Sequence, residues 1–176
     1  MKSNPFLITA ISLLLLFSSC KKLQLTRATE KGANTFSCII GGKVFKTCFG
    51  GLFSDPPLTA YAGGSGTLNG GIIQVATINA ACNEKMPYKD FYIELRNFHG
   101  VGSYLLSDSN NYCSYEERYP DKRYVTTAIS SGKVTITKDD RTNYILSGKF
   151  EGTLVNRDTP SDQIVIKSGR FDIKYR

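Results

Sequence analysis

Short segments of β-forming residues, separated by turns that carry glycine or proline, run through the chain and constrain its fold most strongly. The clearest segment is 90–96, in which Phe91, Ile93 and Leu95 alternate with polar residues. Such alternation is typical of a strand with one face buried and the other in water. No convincing helical periodicity follows the first 20 residues. We therefore expect an all-β domain, either a mostly antiparallel β-sandwich or a barrel-like domain.

A hairpin is expected at the start of the folded part. Residues 35–40 and 43–46 are rich in β-forming residues, and a Gly-Gly pair joins them. Glycine supplies the positive φ angles that two-residue hairpin turns need. With this loop length Cys38 lies opposite Phe45, and Phe36 shares their face, which we expect to be the core face.

The first 20 residues have the three parts of a bacterial export signal. Lys2 gives a cationic start, residues 6–17 form an apolar core, and two serines precede Cys20. A cysteine at this point is typical of a lipoprotein signal, in which the thiol receives a diacylglyceryl group and becomes the first residue after cleavage. The apolar core is too short for a transmembrane anchor, which takes roughly 20 apolar residues. We expect lipidation at Cys20 in preference to an ordinary signal with an incidental cysteine.

The signal divides the chain into three parts. Residues 1–19 are the signal peptide, residues 20–33 read as a flexible polar tether, and residues 34–176 form a single domain. Lys21 stands where inner-membrane retention signals carry aspartate, and no acidic run follows the cysteine. These features predict a lipid anchor in the outer membrane, with the domain facing the periplasm.

The excess of basic residues is spread along the whole chain. There are 22 Lys and Arg against 15 Asp and Glu, a formal net charge of +7. No basic run lies beside stacking aromatic residues, so we expect no nucleic-acid partner. A mildly cationic surface of this kind favours anionic lipid headgroups or acidic glycans without specifying either.

Four cysteines remain besides Cys20, namely Cys38, Cys48, Cys82 and Cys113. An even number in an oxidising compartment predicts two disulfides, and four cysteines allow three pairings. We favour Cys38 with Cys113 and Cys48 with Cys82, because Cys48 lies beyond the paired part of the hairpin. A metal site is not expected, because the chain has no Cys-x-x-Cys spacing and only one histidine.

Candidate catalytic residues are sparse. A Ser-His-acid triad needs a histidine between a nucleophile and a carboxylate, and only His99, in a glycine-bearing turn, is available. Glycosidases need two placed carboxylates, which a sequence alone does not identify. Loops at 108–111 and 139–143 carry oxygen ligands, but neither completes a calcium-binding pattern and both suit ordinary turns. We therefore predict no catalytic residue, no metal and no cofactor.

The segment 112–124 is unusually rich in tyrosine. Tyr112, Tyr115 and Tyr119 lie near charged residues and form a candidate binding patch, because tyrosine offers a broad apolar face and a hydroxyl to glycans and proteins alike. The alternative, which we favour, is that two rings of this segment pack into the core and the others cover a sheet edge.

Three strand-and-turn motifs stand in the last third of the chain, at 132–139 (GKVTITKD), 146–153 (LSGKFEGT) and 169–175 (GRFDIKY). They resemble a family of uncharacterised lipoproteins that is common in Bacteroidetes-type bacteria. The resemblance covers most of the exported domain. It implies the fold and the envelope location but no activity, cofactor or catalytic residue.

The sequence thus predicts a lipid-anchored envelope protein that acts as a non-catalytic binding or structural module. Its expected partners are the membrane, through the N-terminal lipid, and a protein or glycan of the envelope. The alternative is an envelope enzyme that acts on glycan or peptide through an unrecognised site. A deep cleft around His99 or a close carboxylate pair would favour the enzyme.

Overall fold

The computed structural model describes residues 24–48, 58–68, 71–82, 88–107, 110–119 and 121–175. These segments contain β-strands and no helix, which confirms the all-β, mostly antiparallel prediction. The lipidation candidate Cys20 and the predicted signal peptide 1–19 lie outside the described residues. Within the described ranges, no helix is long and apolar enough to cross a membrane.

The described residues contain eleven strands. They are β1 (Thr35–Ile40), β2 (Lys43–Lys46), β3 (Leu58–Leu68), β4 (Gly71–Cys82), β5 (Tyr88–Leu95), β6 (Gly102–Leu106), β7 (Asn111–Arg118), β8 (Lys122–Val125), β9 (Gly132–Asp140), β10 (Ile145–Asn156) and β11 (Gln163–Lys174).

The strands form one curled antiparallel sheet that branches at β10. Hydrogen-bonded neighbours follow the order β2-β1-β11-β10-β8-β7-β5-β4-β3. Along one edge of β10, residues 145–152 pair with β9, and Val155 and Asn156 pair with β8. Strand β6 then pairs with β9. The curl brings the two ends of this order together, since the Cys48 N–H donates to the Ala81 carbonyl oxygen of β4 at 3.3 Å.

The expected hairpin of β1 and β2 is confirmed. Cys38 pairs with Phe45, as the two-residue loop requires. Gly41 and Gly42 have φ angles of 54° and 81°, in the left-handed region that glycine adopts without steric cost. The inward face of this hairpin is buried, because Phe36, Cys38 and Phe45 are at most 5% exposed.

Aromatic rings fill the inside of the curled sheet. The Phe36 ring lies 5.0 Å from the ring of Phe150 and 5.2 Å from that of Phe91. Two glycines make room for these rings. A Cβ atom at Gly169 would lie 2.6 Å from the Phe150 ring, and one at Gly148 would lie 2.6 Å from the Phe171 ring. The core therefore depends on the absence of side chains at both positions.

One of the two expected disulfides is confirmed. Cys48 and Cys82 are bonded, which joins the segment after β2 to the end of β4 and closes the curled sheet. The expected bridge between Cys38 and Cys113 does not form, and both remain free thiols in the core. Burial raises the pKa of each thiol, which suppresses the thiolate that disulfide exchange requires.

Candidate functional site

Two adjoining cavities lie on the outer face of the sheet, over β9, β10 and β11. Their volumes are about 460 and 370 Å³, and both are lined by Ala28, Thr137, Lys149 and Arg170. One wall consists of residues 27–30, which precede the first strand. We call this feature the cationic groove, because Arg27, Lys133, Lys149 and Arg170 line it.

The floor of the groove belongs to a row of side chains that crosses six strands. Each member is the register partner of the next: Lys46, Ser37, Arg170, Lys149, Thr135 and Ser103, on β2, β1, β11, β10, β9 and β6. Because neighbouring strands are about 4.8 Å apart, this outer row extends over about 24 Å. It contains three cations and three hydroxyls and no acidic side chain.

The segment that forms the groove wall is bonded to the domain. Thr26 contacts Ser37 of the outer row, with its backbone N–H at 3.1 Å and its hydroxyl oxygen at 2.7 Å from the Ser37 hydroxyl. The Lys138 ammonium donates to the Glu30 carbonyl oxygen at 3.1 Å. We call residues 26–33 the N-terminal strap. Contacts with the domain thus begin at Thr26, within the range 20–33 that the sequence predicts to be a flexible tether.

Asp172 holds the strap in place. Its carboxylate, 1% exposed, accepts hydrogen bonds from the backbone N–H groups of Lys31, Gly32 and Ala33 and from the hydroxyls of Thr29 and Ser147. Burial alone would raise the pKa of this carboxyl group. The hydrogen bonds outweigh burial and lower the pKa to about 2. Asp172 is therefore ionised at neutral pH, and donors from the strap and from Ser147 on β10 occupy both of its carboxylate oxygens.

The cations around the groove are free to meet a ligand. Its lining includes Arg27, Lys133, Lys149 and Arg170, while Glu30 and Glu151 are the acidic residues present. Among the described residues, seven ion pairs form, and none of them includes any of these four cations. The hydroxyls of Thr135, Thr137 and Ser168 line the same space. Such a set of donors suits an anion.

The outer face of β5 and β7 is different, because its charges are already paired. Glu94 lies 2.5 Å from Arg96 and accepts a hydrogen bond from Tyr92 at 2.9 Å. The Tyr92 ring lies 5.5 Å from that of Tyr112. Burial and the neighbouring Glu94 raise the pKa of Tyr112. The charged groups of this face are therefore already bonded to one another and are less available to an incoming charged ligand.

The predicted patch of Tyr112, Tyr115 and Tyr119 is not assembled. Tyr115 is buried in the core with 3% exposure and packs against the ring of Phe45. Tyr112 lies half-buried on the outer face of β7, and Tyr119 is exposed in the turn after that strand. The alternation of β7 separates neighbouring tyrosines onto opposite faces. Tyr124 is buried as well, so two rings of this segment pack into the core.

His99 stands apart from the groove, in the turn between β5 and β6. Its Nδ1 lies 2.9 Å from the Asn97 carbonyl oxygen, and its ring packs on Tyr104 at 4.7 Å. In the part of the chain that the structure describes, no group of three or more His, Cys, Asp or Glu side chains could hold a metal ion. The cationic groove, with its hydroxyls and with cations that are unpaired among the described residues, is therefore the candidate binding site.

The basic residues of the outer row are scattered positions in the sequence. Lys46, Lys149 and Arg170 lie far apart in the chain and come together only through strand register. A period-two pattern places each of them on an outward face, but it does not identify their neighbours.

Comparison with known proteins places most of this structure in one family. The family model described as a domain of unknown function (DUF5025) matches residues 65–174, more than half of the chain. The chain belongs to the DUF5025 family. The DUF5025 match includes Ser103, Thr135, Lys149 and Arg170 of the outer row, whereas the strap and β1 precede it. Neither a curated protein nor a solved structure matches the chain.

Proposed function

We propose that the protein is a non-catalytic binding module of the cell envelope, anchored by a lipid on Cys20, and that it binds an anionic ligand in the cationic groove. The export signal that ends at Cys20 supports the anchor. The absence of acidic residues directly after that cysteine supports an outer-membrane location facing the periplasm.

The observation that carries the binding role is the row of unpaired cations. Lys149 and Arg170 are register partners on the groove floor, and neither joins an ion pair among the described residues. The guanidinium group of arginine can bind a carboxylate or phosphate through two parallel hydrogen bonds. Lys149 is the register partner of Arg170, and Thr135 is the next residue of the same row beyond Lys149.

Binding can be measured by calorimetry with the full lipidated protein in detergent micelles. Glycerol phosphate and a galacturonate oligosaccharide serve as probes of a phosphate and a carboxylate ligand. We expect at least one probe to bind, and each of Lys149→Ala and Arg170→Ala to weaken binding about tenfold. Added salt should weaken binding as well, because the cations are at the surface.

Arg157→Ala is the matched control. It removes one positive charge from an exposed turn between β10 and β11 and should leave the affinity unchanged. If neither probe binds the wild type, or if Arg157→Ala weakens binding as much as Arg170→Ala does, the groove is not the binding site.

A further inference from the structure

The strap limits how far the domain can lie from its lipid anchor. The described chain begins at Gln24, which is four residues after Cys20. An extended chain spans at most about 3.6 Å per residue, so Cys20 lies within about 14 Å of Gln24. A free tether over residues 20–33 would reach several times further and would leave the orientation of the domain open.

The strap begins on the same side of the domain as the outer row. Two residues after Gln24, the Thr26 hydroxyl oxygen lies 2.7 Å from that of Ser37, a member of the row. The strap then crosses the outer face to Asp172 on β11. A lipid on Cys20 would therefore keep this face within reach of the bilayer surface, while the contact itself would depend on the charges of the face.

The charges on this side complement an anionic membrane. Lys46, Lys149 and Arg170 of the outer row carry no acidic partner among the described residues, and Arg27 of the strap is exposed. Lys21 and Lys22 follow the anchor directly. Basic clusters beside a lipid anchor are attracted to anionic headgroups, and this attraction adds to the membrane affinity that the acyl chains provide.

We infer that the outer row docks on the membrane that carries the anchor, and that the anionic ligand of the groove is the phosphodiester headgroup of an anionic phospholipid. This inference rests on the proposed function, both for the lipid on Cys20 and for anion binding. It adds a fixed orientation, in which β9, β10 and β11 face the bilayer and the paired charges of β5 and β7 face away.

The orientation can be measured by fluorescence energy transfer from a single introduced tryptophan to a labelled lipid. The sequence contains no tryptophan of its own, so the signal comes from the introduced residue alone. Leu105 is 63% exposed on β6 and its register partner is Lys133 at the groove, so Leu105→Trp places a reporter beside the row. Tyr92→Trp on β5, whose charges are paired, is the matched reporter on the other side. Full lipidated protein is reconstituted into vesicles that contain a dansyl-labelled headgroup lipid.

We expect transfer from the Leu105→Trp reporter to be several-fold greater than from the Tyr92→Trp reporter in phosphatidylglycerol vesicles. The difference should disappear in phosphatidylcholine vesicles and when Lys149→Glu and Arg170→Glu are added. Arg157→Glu, which makes the same charge change as Arg170→Glu alone but lies in the β10–β11 turn, should keep the difference. Circular dichroism checks that each variant retains its strands.

Equal transfer from the two reporters in phosphatidylglycerol vesicles would overturn the docking inference. If the galacturonate oligosaccharide still bound the wild type in micelles, the proposed function would stand, and the ligand would be an acidic glycan in place of a lipid. If neither soluble probe bound and the reporters did not differ, both proposals would fail. Transfer that favours Leu105→Trp equally in both lipids would also overturn the inference, since the anchor alone would then explain the orientation.

Discussion

The carboxylate of Asp172, near the end of the last strand, accepts a 2.8 Å hydrogen bond from the backbone N–H of Gly32, 140 positions earlier in the chain. Two further backbone N–H groups and two hydroxyls donate to the same carboxylate. This side chain fixes the strap to the sheet. Under the proposed lipidation, it also keeps the outer row within reach of the membrane.

We expect Asp172→Asn to lower the free energy of unfolding at pH 7 by about 3 kcal/mol. The pKa of Asp172 is about 2 in the folded protein, below the value of about 3.9 for an unfolded chain, and each pKa unit corresponds to about 1.4 kcal/mol. Since the folded pKa is the lower one, the contribution is complete above pH 4 and is lost as the pH falls towards 2. Urea denaturation at a series of pH values measures it.

Asp158→Asn is the control for that series, because Asp158 is exposed in the β10–β11 turn. Its free energy of unfolding should follow the wild-type curve. The gap between Asp172→Asn and the wild type should narrow between pH 4 and pH 2. A gap that stayed constant over this range would show that the carboxylate is not the source of the stability.

Local patterns were enough to predict the hairpin of β1 and β2, because its pairing depends on a two-residue loop and on alternation within a few residues. The strap could not be predicted in this way. Residues 26–33 are polar and without periodicity, and their order comes from Asp172 at the other end of the chain. The outer row was missed for a similar reason, since Ser37 and Arg170 become neighbours only through long-range strand pairing.

Removing the Cys48–Cys82 disulfide should destabilise the protein by about 4 kcal/mol. The bridge closes a loop with a sequence separation of 34, and cross-links of that length lower the entropy of the unfolded chain by about this amount. Denaturation of the Cys48→Ser, Cys82→Ser double variant against the oxidised wild type measures the loss. Adding a reductant should destabilise the wild type and leave the double variant unchanged.

Cys38 and Cys113 should resist alkylation in the native protein and react once it is unfolded. Both thiols are buried, and burial raises their pKa values, so little thiolate is present at neutral pH. Iodoacetamide labelling with and without urea, followed by mass spectrometry of non-reduced peptides, checks this. A peptide that links Cys38 to Cys113 would show instead that the bridge expected from the sequence forms.

Alanine substitution of two tyrosines in the β7 region should change the free energy of unfolding by very different amounts. Tyr115→Ala removes a core ring that packs against Phe45 and Phe91, and large-to-small changes of buried aromatic residues cost about 3 kcal/mol or more. Tyr119 is 66% exposed, so Tyr119→Ala should change the free energy of unfolding by about 0.5 kcal/mol or less. Similar losses for the two variants would mean that Tyr119 packs against the domain.

Cys20→Ser should release the protein from the membrane fraction, because it removes the thiol that the lipid would occupy. The outer row alone should not hold the domain on the membrane, since its few exposed cations act through electrostatic attraction that salt screens. Fractionation of cells that express the full chain, with a high-salt wash of the membranes, makes this comparison. If Cys20→Ser remained bound after the wash, the anchor would have to lie elsewhere, and the strap would no longer define the face that meets the bilayer.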